Sequence, residues 1–170
     1  SGSSQSLNNS FADVLFSTTA DFNNNSSVFS ITNTGSSSYV TVSSAITACI
    51  TLNSTISNGG NNNYNAIFKI QKQTPPGGWV ECPNSVMNVA GPSATPEYYH
   101  SSLTTIIDVK SGDNIRVVAK ETSNSSLSIV NSSTYGDTTL VIYDIKGGEV
   151  GSTGAQGATG AQGATGAQGA

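Results

Sequence analysis

An all-β head joined to a collagen-like stalk is the architecture this sequence predicts, and three observations carry it. Along residues 11–146, short runs rich in Val, Ile, Thr and aromatic residues alternate apolar and polar side chains, the period-two pattern of half-buried strands. Clusters of Gly, Pro, Asn, Asp and Ser separate those runs at 58–63, 74–78, 91–96, 111–113 and 132–137. Such residues favour turns through positive φ, fixed φ or side-chain bonds to their own backbone. From Gly148 onward, glycine recurs at every third residue, the spacing of the collagen triple helix, where only a hydrogen atom fits at the crowded axis.

Taken in order, residues 1–10 read as a flexible N-terminal segment of Ser, Gly, Gln and Asn. Strands are then expected at 13–18, 27–33, 39–44, 46–52, 65–71, 79–81, 86–89, 103–109, 114–120, 127–130 and 138–145. Alternation is plainest in Ile46/Ala48/Ile50/Leu52, in Ile67-Phe-Lys-Ile and in Leu140-Val-Ile-Tyr-Asp-Ile. No 3.6-residue apolar stripe competes with it. Strands this short and this closely spaced point to two packed sheets, a sandwich of the jelly-roll kind, over residues 11–146.

The stalk, 147–170, carries Gly148, Gly151, Gly154, Gly157, Gly160, Gly163, Gly166 and Gly169 in strict register. At the chain's glycine frequency of 18 in 170, seven further glycines in phase would arise by chance about once in ten million. A Gly-X-Y series implies three chains wound together, hence a homotrimer. Ala fills X and Gln or Thr fills Y from Gly154 onward, with no proline, so each strand gives up more backbone entropy on ordering. The head is therefore expected to hold the three chains together. Thr153, Thr159 and Thr165 occupy outward Y positions, where O-linked sugars would shield the stalk. The chain stops in mid-triplet at Ala170 and starts without Met or an apolar leader; a longer natural stalk and a processed or internal start are the expectations.

Composition removes several function classes. Charged residues are 9% against roughly 25% in an average chain, while Ser, Thr and Asn supply 64 of 170 residues. With six Lys+Arg against ten Asp+Glu and a net charge of -4, no cationic footprint exists for nucleic acid. No apolar run approaches the roughly 20 residues of a membrane span. Catalysis has few materials: one histidine, His100, and no Gly-x-Ser-x-Gly, His-Glu-x-x-His or Walker pattern, so neither an enzyme nor a cofactor is expected. Asp137, Asp144 and Glu149 offer oxygen donors near the start of the stalk, but solvated charges explain them more simply than a shared cation, and no metal site is assigned. Cys49 and Cys82 are compatible with one disulfide. They are equally compatible with a buried thiol at Cys49 in an apolar strand and an unrelated loop thiol at Cys82. Asn-x-Ser/Thr sequons start at Asn8, Asn24, Asn25, Asn53, Asn124 and Asn131, a number expected from composition and meaningful only in a glycosylating host.

A β module of this size on a collagenous stalk resembles the tumour necrosis factor-like and complement-head superfamily, as found in bacterial spore-surface and viral collagen-like proteins. Residues 103–119, Leu-Thr-Thr-Ile-Ile-Asp-Val-Lys-Ser-Gly-Asp-Asn-Ile-Arg-Val-Val-Ala, are similar to that superfamily's hairpin around a Gly-Asp turn, here Gly112 and Asp113. Residues 138–145 are similar to its last strand. The resemblance implies a compact trimer of jelly rolls. The reading that follows is a structural surface fibre, whose head registers three chains and nucleates the stalk on a spore, cell or virion exterior, partnered by itself and by a surface anchor protein. The alternative is an adhesin head that takes a receptor or glycan, for which Trp79 beside Pro75-Pro76-Gly77-Gly78, with Tyr98 and Tyr99, forms the one candidate aromatic cluster. The head precedes the stalk, which leaves open whether it is a tip, an anchor or a bead.

Overall fold

The computed structural model describes residues 4–16, 27–60, 63–92, 97–123, 126–132 and 136–145. Thirteen strands occur among them: β1 (Gln5–Ser6), β2 (Ala12–Asp13), β3 (Phe29–Asn33), β4 (Ser38–Val42), β5 (Ile46–Asn58), β6 (Tyr64–Gln73), β7 (Trp79–Gly91), β8 (Glu97–Val109), β9 (Asn114–Glu121), β10 (Leu127–Ile129), β11 (Asn131–Ser132), β12 (Gly136–Asp137) and β13 (Thr139–Asp144). The triplet glycines Gly148 to Gly169 lie outside the described residues. Among those that are described, no helix is long and apolar enough to cross a membrane.

The strands form two antiparallel sheets plus the small β11–β12 ribbon. In sheet I, β8 pairs along the whole of β5, while β13 and β10 share the other edge of β5 and β1 extends β10. Sheet II runs β3-β4-β9-β6-β7, with β2 also on β9. The chain passes repeatedly from one sheet to the other, the winding of a jelly roll.

Alternation sets the layers. On β5, Ile46, Ala48, Ile50, Leu52 and Ile56 are buried and face Phe68 and Ile70 of β6 and Ile115 and Val117 of β9 in one core cluster. Each Ile, Leu, Val or Phe among them contributes roughly 1.5–3 kcal/mol on leaving water. Ser54 and Asn58 keep the same period and are buried among them.

Four differences from the sequence reading have local causes. Residues 79–81 and 86–89 belong to one strand, β7, interrupted by a bulge at Pro83-Asn84, where Asn84 has φ 50° and the register against β6 slips. Ser85 closes that bulge by donating its hydroxyl to the carbonyls of Ile70 and Cys82, at 2.9 and 2.6 Å. Residues 103–119 are not a hairpin: β8 pairs with β5 and β9 with β6 and β4, so the turn at Gly112-Asp113 carries the chain from one sheet to the other. β8 begins at Glu97 rather than 103 because its Ser- and Tyr-containing first half pairs with the polar second half of β5. The segment expected to be flexible contributes β1, whose Gln5 and Ser6 pair with Ile129 and Ser128, followed by buried Leu7.

Candidate functional site

Two outer faces carry the exposed chemistry, and each follows from strand register. On sheet I, β5 turns Thr47, Cys49, Thr51 and Asn53 outward, so their cross-strand partners stand beside them on the same surface. Tyr143 and Ile106 flank Cys49, and Val141 and Thr104 flank Thr51. Ile106 is 57% exposed and Tyr143 49%, with Val141 and Ile145 also exposed. These apolar side chains are grouped on one sheet surface rather than scattered over it. The band sits at one end of the face. Further along, hydroxyl and amide pairs take over: Thr51 with Thr104 at 3.0 Å, Asn53 donating to Thr139 at 3.4 Å, and Thr55 with His100 Nδ1 at 3.1 Å. The apolar end is where β13 leaves the head, Asp144 pairing with Ala48 and the Ile145 N–H donating to the Thr47 carbonyl.

Cys49 lies in that band, covered by its neighbours, and a hydrogen bond with its sulfur, together with the negative charge of the thiolate form and some desolvation, raises the Tyr143 phenol above its ordinary value. Cys82 faces the core from sheet II. Both thiols are free; one points out of sheet I and the other into the sandwich from sheet II, which removes the disulfide alternative. Cys82 is a strand residue, not a loop thiol, and burial pushes it up to about 11, with Lys72 lowering and Glu81 raising it. It is an inert thiol at neutral pH.

The aromatic cluster read from the sequence is divided. Trp79 pairs with Gln73, the last residue of β6, whereas Tyr99 stacks at 4.3 Å on Tyr64, its first. The two ends of β6 are about 30 Å apart at roughly 3.3 Å per residue. Trp79 is half-buried, with the Arg116 guanidinium 4.2 Å from its ring centroid and Tyr39 edge-on at 6.2 Å. Tyr98 pairs with Ser57, outside the Tyr64–Tyr99 stack. Asp137 and Asp144 are likewise separated, Asp137 in β12 ahead of β13 and Asp144 at the far end of β13; Glu149 lies outside the described residues.

The sequence reading missed the apolar band on sheet I, although a signal was present. In Leu140-Val141-Ile142-Tyr143, both strand faces are apolar, which is the pattern of a strand covered on two sides. Leu140 and Ile142 pack on the core, leaving Val141 and Tyr143 for the second cover.

No family model matches this sequence, and no curated protein matches it. Among solved structures it is similar to Eiger TNF from S. frugiperda, at 10% identity over 88% of this chain and 96% of that one, with a TM-score of 0.49. What the coordinates of this chain themselves establish is an all-β domain of two antiparallel sheets wound as a jelly roll.

Proposed function

We propose that the protein is a structural surface-fibre component and not an enzyme: a homotrimeric head that registers three chains and nucleates a collagen-like stalk on the exterior of a spore, cell or virion. One observation carries this reading. The exposed apolar band on sheet I lies on the strand that runs into the triplets, with Val141, Tyr143 and Ile145 just ahead of Gly148. A Gly-X-Y helix needs three chains side by side at its first triplet, and an apolar surface there brings them together. A closed ring of three also requires two different, complementary patches on each chain. A second patch lies where β7 and β8 border a cleft of about 480 Å³, lined by Val80, Pro83 and Ile107 with Lys72, Glu81 and Asp108, and adjoining the band at Ile106. The uncharged, hydroxyl-rich remainder suits an exposed coat.

Light scattering on the full chain tests the reading. A trimer at micromolar concentration is expected, converted to monomer by Tyr143→Asp with the head still folded. A monomeric parent chain, or a trimer indifferent to Tyr143→Asp and Val141→Asp together, would overturn it.

A further inference from the structure

Composition accounts for the number of Asn-x-Ser/Thr sequons, but the fold does not treat them alike. Two lie wholly within the described residues: Asn8-Asn9-Ser10, between β1 and β2, and Asn53-Ser54-Thr55, inside β5. Of the others, Asn131 is described without its Ser133, and Asn24, Asn25 and Asn124 lie outside the described residues. At the first site Asn8, Asn9 and Ser10 are all exposed. Asn8 Oδ1 accepts the Ser10 N–H at 2.9 Å, the Asx turn in which an asparagine side chain closes on the backbone two residues further on. With that oxygen held, the amide nitrogen Nδ2 is the atom presented to solvent, on the turn that also carries the Ser10 hydroxyl. The backbone beneath is fixed, the Asn8 carbonyl accepting the Glu121 N–H and the Leu7 N–H donating to the Leu127 carbonyl, both at 2.8 Å. At Asn53 the same motif is closed. Its Nδ2 donates to Thr139 Oγ1 at 3.4 Å, Ser54 and Thr55 are buried, and the Thr55 hydroxyl is tied to His100 Nδ1 at 3.1 Å.

We propose that Asn8 is an N-glycosylation site of the folded head. The step is a group transfer from a sugar carried on a nucleoside diphosphate. Asn8 Nδ2 attacks the anomeric carbon, the bond from that carbon to the diphosphate oxygen breaks, a carbon–nitrogen bond forms, and the amide gives up one proton to a base of the transferase. A transferase must reach the amide nitrogen and the hydroxyl two residues on together. The turn at Asn8 and Ser10 offers both, whereas pairing of β5 with β8 on one side and β13 on the other denies them at Asn53. Position favours the same residue. Leu7, just before Asn8, is bonded to Leu127, whose strand partner is Asn58 at one end of β5, while β13 leaves the head beside Thr47 at the other. About 35 Å of strand lies between them, at roughly 3.3 Å per residue. A sugar at Asn8 stands clear of Val141, Tyr143 and Ile106 and leaves the self-association surface bare. It also adds a hydrated, solubilising cover to a chain in which only 9% of residues are charged.

The experiment is incubation of the folded full chain with a soluble, sequon-reading N-glycosyltransferase and UDP-glucose, read by peptide mass spectrometry. A gain of one hexose at Asn8 and none at Asn53 is expected, whereas a synthetic peptide of residues 50–58, freed of its strand partners, should be modified at Asn53. Ser10→Ala should slow modification of Asn8 by about tenfold or more, the scale in rate of one lost hydrogen bond. Ser10→Thr should retain it, and both variants should keep the parent's thermal transition. No hexose at Asn8 of the folded chain, or Asn53 modified there as readily as Asn8, would overturn the proposal. So would an unmodified 50–58 peptide, since sequence rather than fold would then be rejecting Asn53. The readout is a mass at one residue, and a monomeric Tyr143→Asp chain should take the same sugar, so this result stands apart from the test of the trimer.

Discussion

Asp113 shows how one side chain fixes the join between the two sheets. It is fully buried, and its carboxylate accepts the Lys110 N–H at 2.9 Å and lies 3.5 Å from the Lys72 ammonium, while its backbone carbonyl accepts the Val42 N–H. Burial alone would raise its pKa, but the bonds from Lys110 and Thr74 and the charge and bond of Lys72 outweigh that and hold it below its ordinary value. A depressed carboxyl binds fewer protons folded than unfolded, so it stabilises the head above the ordinary aspartate range and ceases to do so as pH falls through the lowered value. Asp113→Ala is therefore expected to cost about 1–3 kcal/mol at pH 7 and to flatten the acid limb of a plot of urea midpoint against pH. An unchanged acid limb would assign that dependence to other carboxylates. The Gly-Asp turn was legible in the sequence; that its carboxylate would be buried against Lys72, 41 residues earlier, was not, because the ion pair exists only once β6 and β9 lie side by side.

Two glycines at element ends are required for different reasons, and the difference is measurable. Gly112, in the turn after β8, has φ +86° with open space where a Cβ would go, so Gly112→Ala costs only the left-handed backbone penalty, about 1–2 kcal/mol. Gly91, ending β7, has no such φ, but a Cβ there would run into the ring of Tyr64, which is buried and stacked on Tyr99. Gly91→Ala must displace that pair, an overpacking cost of about 1–3 kcal/mol. Thermal melts give both losses, and near-ultraviolet circular dichroism should change only for Gly91→Ala, where tyrosines move. Elements at this scale were readable wherever one face is apolar, as in the first half of β5 and in β6, β9 and β13, whereas the polar second half of β5, to Asn58, was not. They were misread where polar residues fill a strand, as in the first half of β8, or where a bulge interrupts one, as in β7, since pairing to a neighbour rather than periodicity holds those residues extended.

At the scale of the whole molecule, the triplets and the head are expected to depend on one another in one direction. Without proline, each Ala, Gln or Thr gives up on the order of 1 kcal/mol of backbone entropy to enter a triple helix, whereas tethering to a trimeric head raises the local concentration of the other two strands to roughly millimolar. A free peptide of residues 148–170 should show no cooperative collagen-type melt by circular dichroism, and the full chain should show one. Replacing Gly160 by a bulkier residue should remove that melt and leave the head's thermal transition in place. Loss of both transitions would mean that head and stalk do not fold as separate parts.

By itself the sequence determined the all-β class, the turns at 74–78 and 111–113, the absence of the usual catalytic motifs and the triplet register, because each of these is written in spacings of two or three residues or in composition. Tertiary structure alone decided where the exposed groups meet. Trp79 and the tyrosines, near one another along the chain, stand at opposite ends of β6, and the two cysteines face different layers. Val141, Tyr143 and Ile106 gather on one sheet face. Neighbourhood across a sandwich is set by strand pairing between residues tens of positions apart, and a local pattern holds no information about which strands those will be.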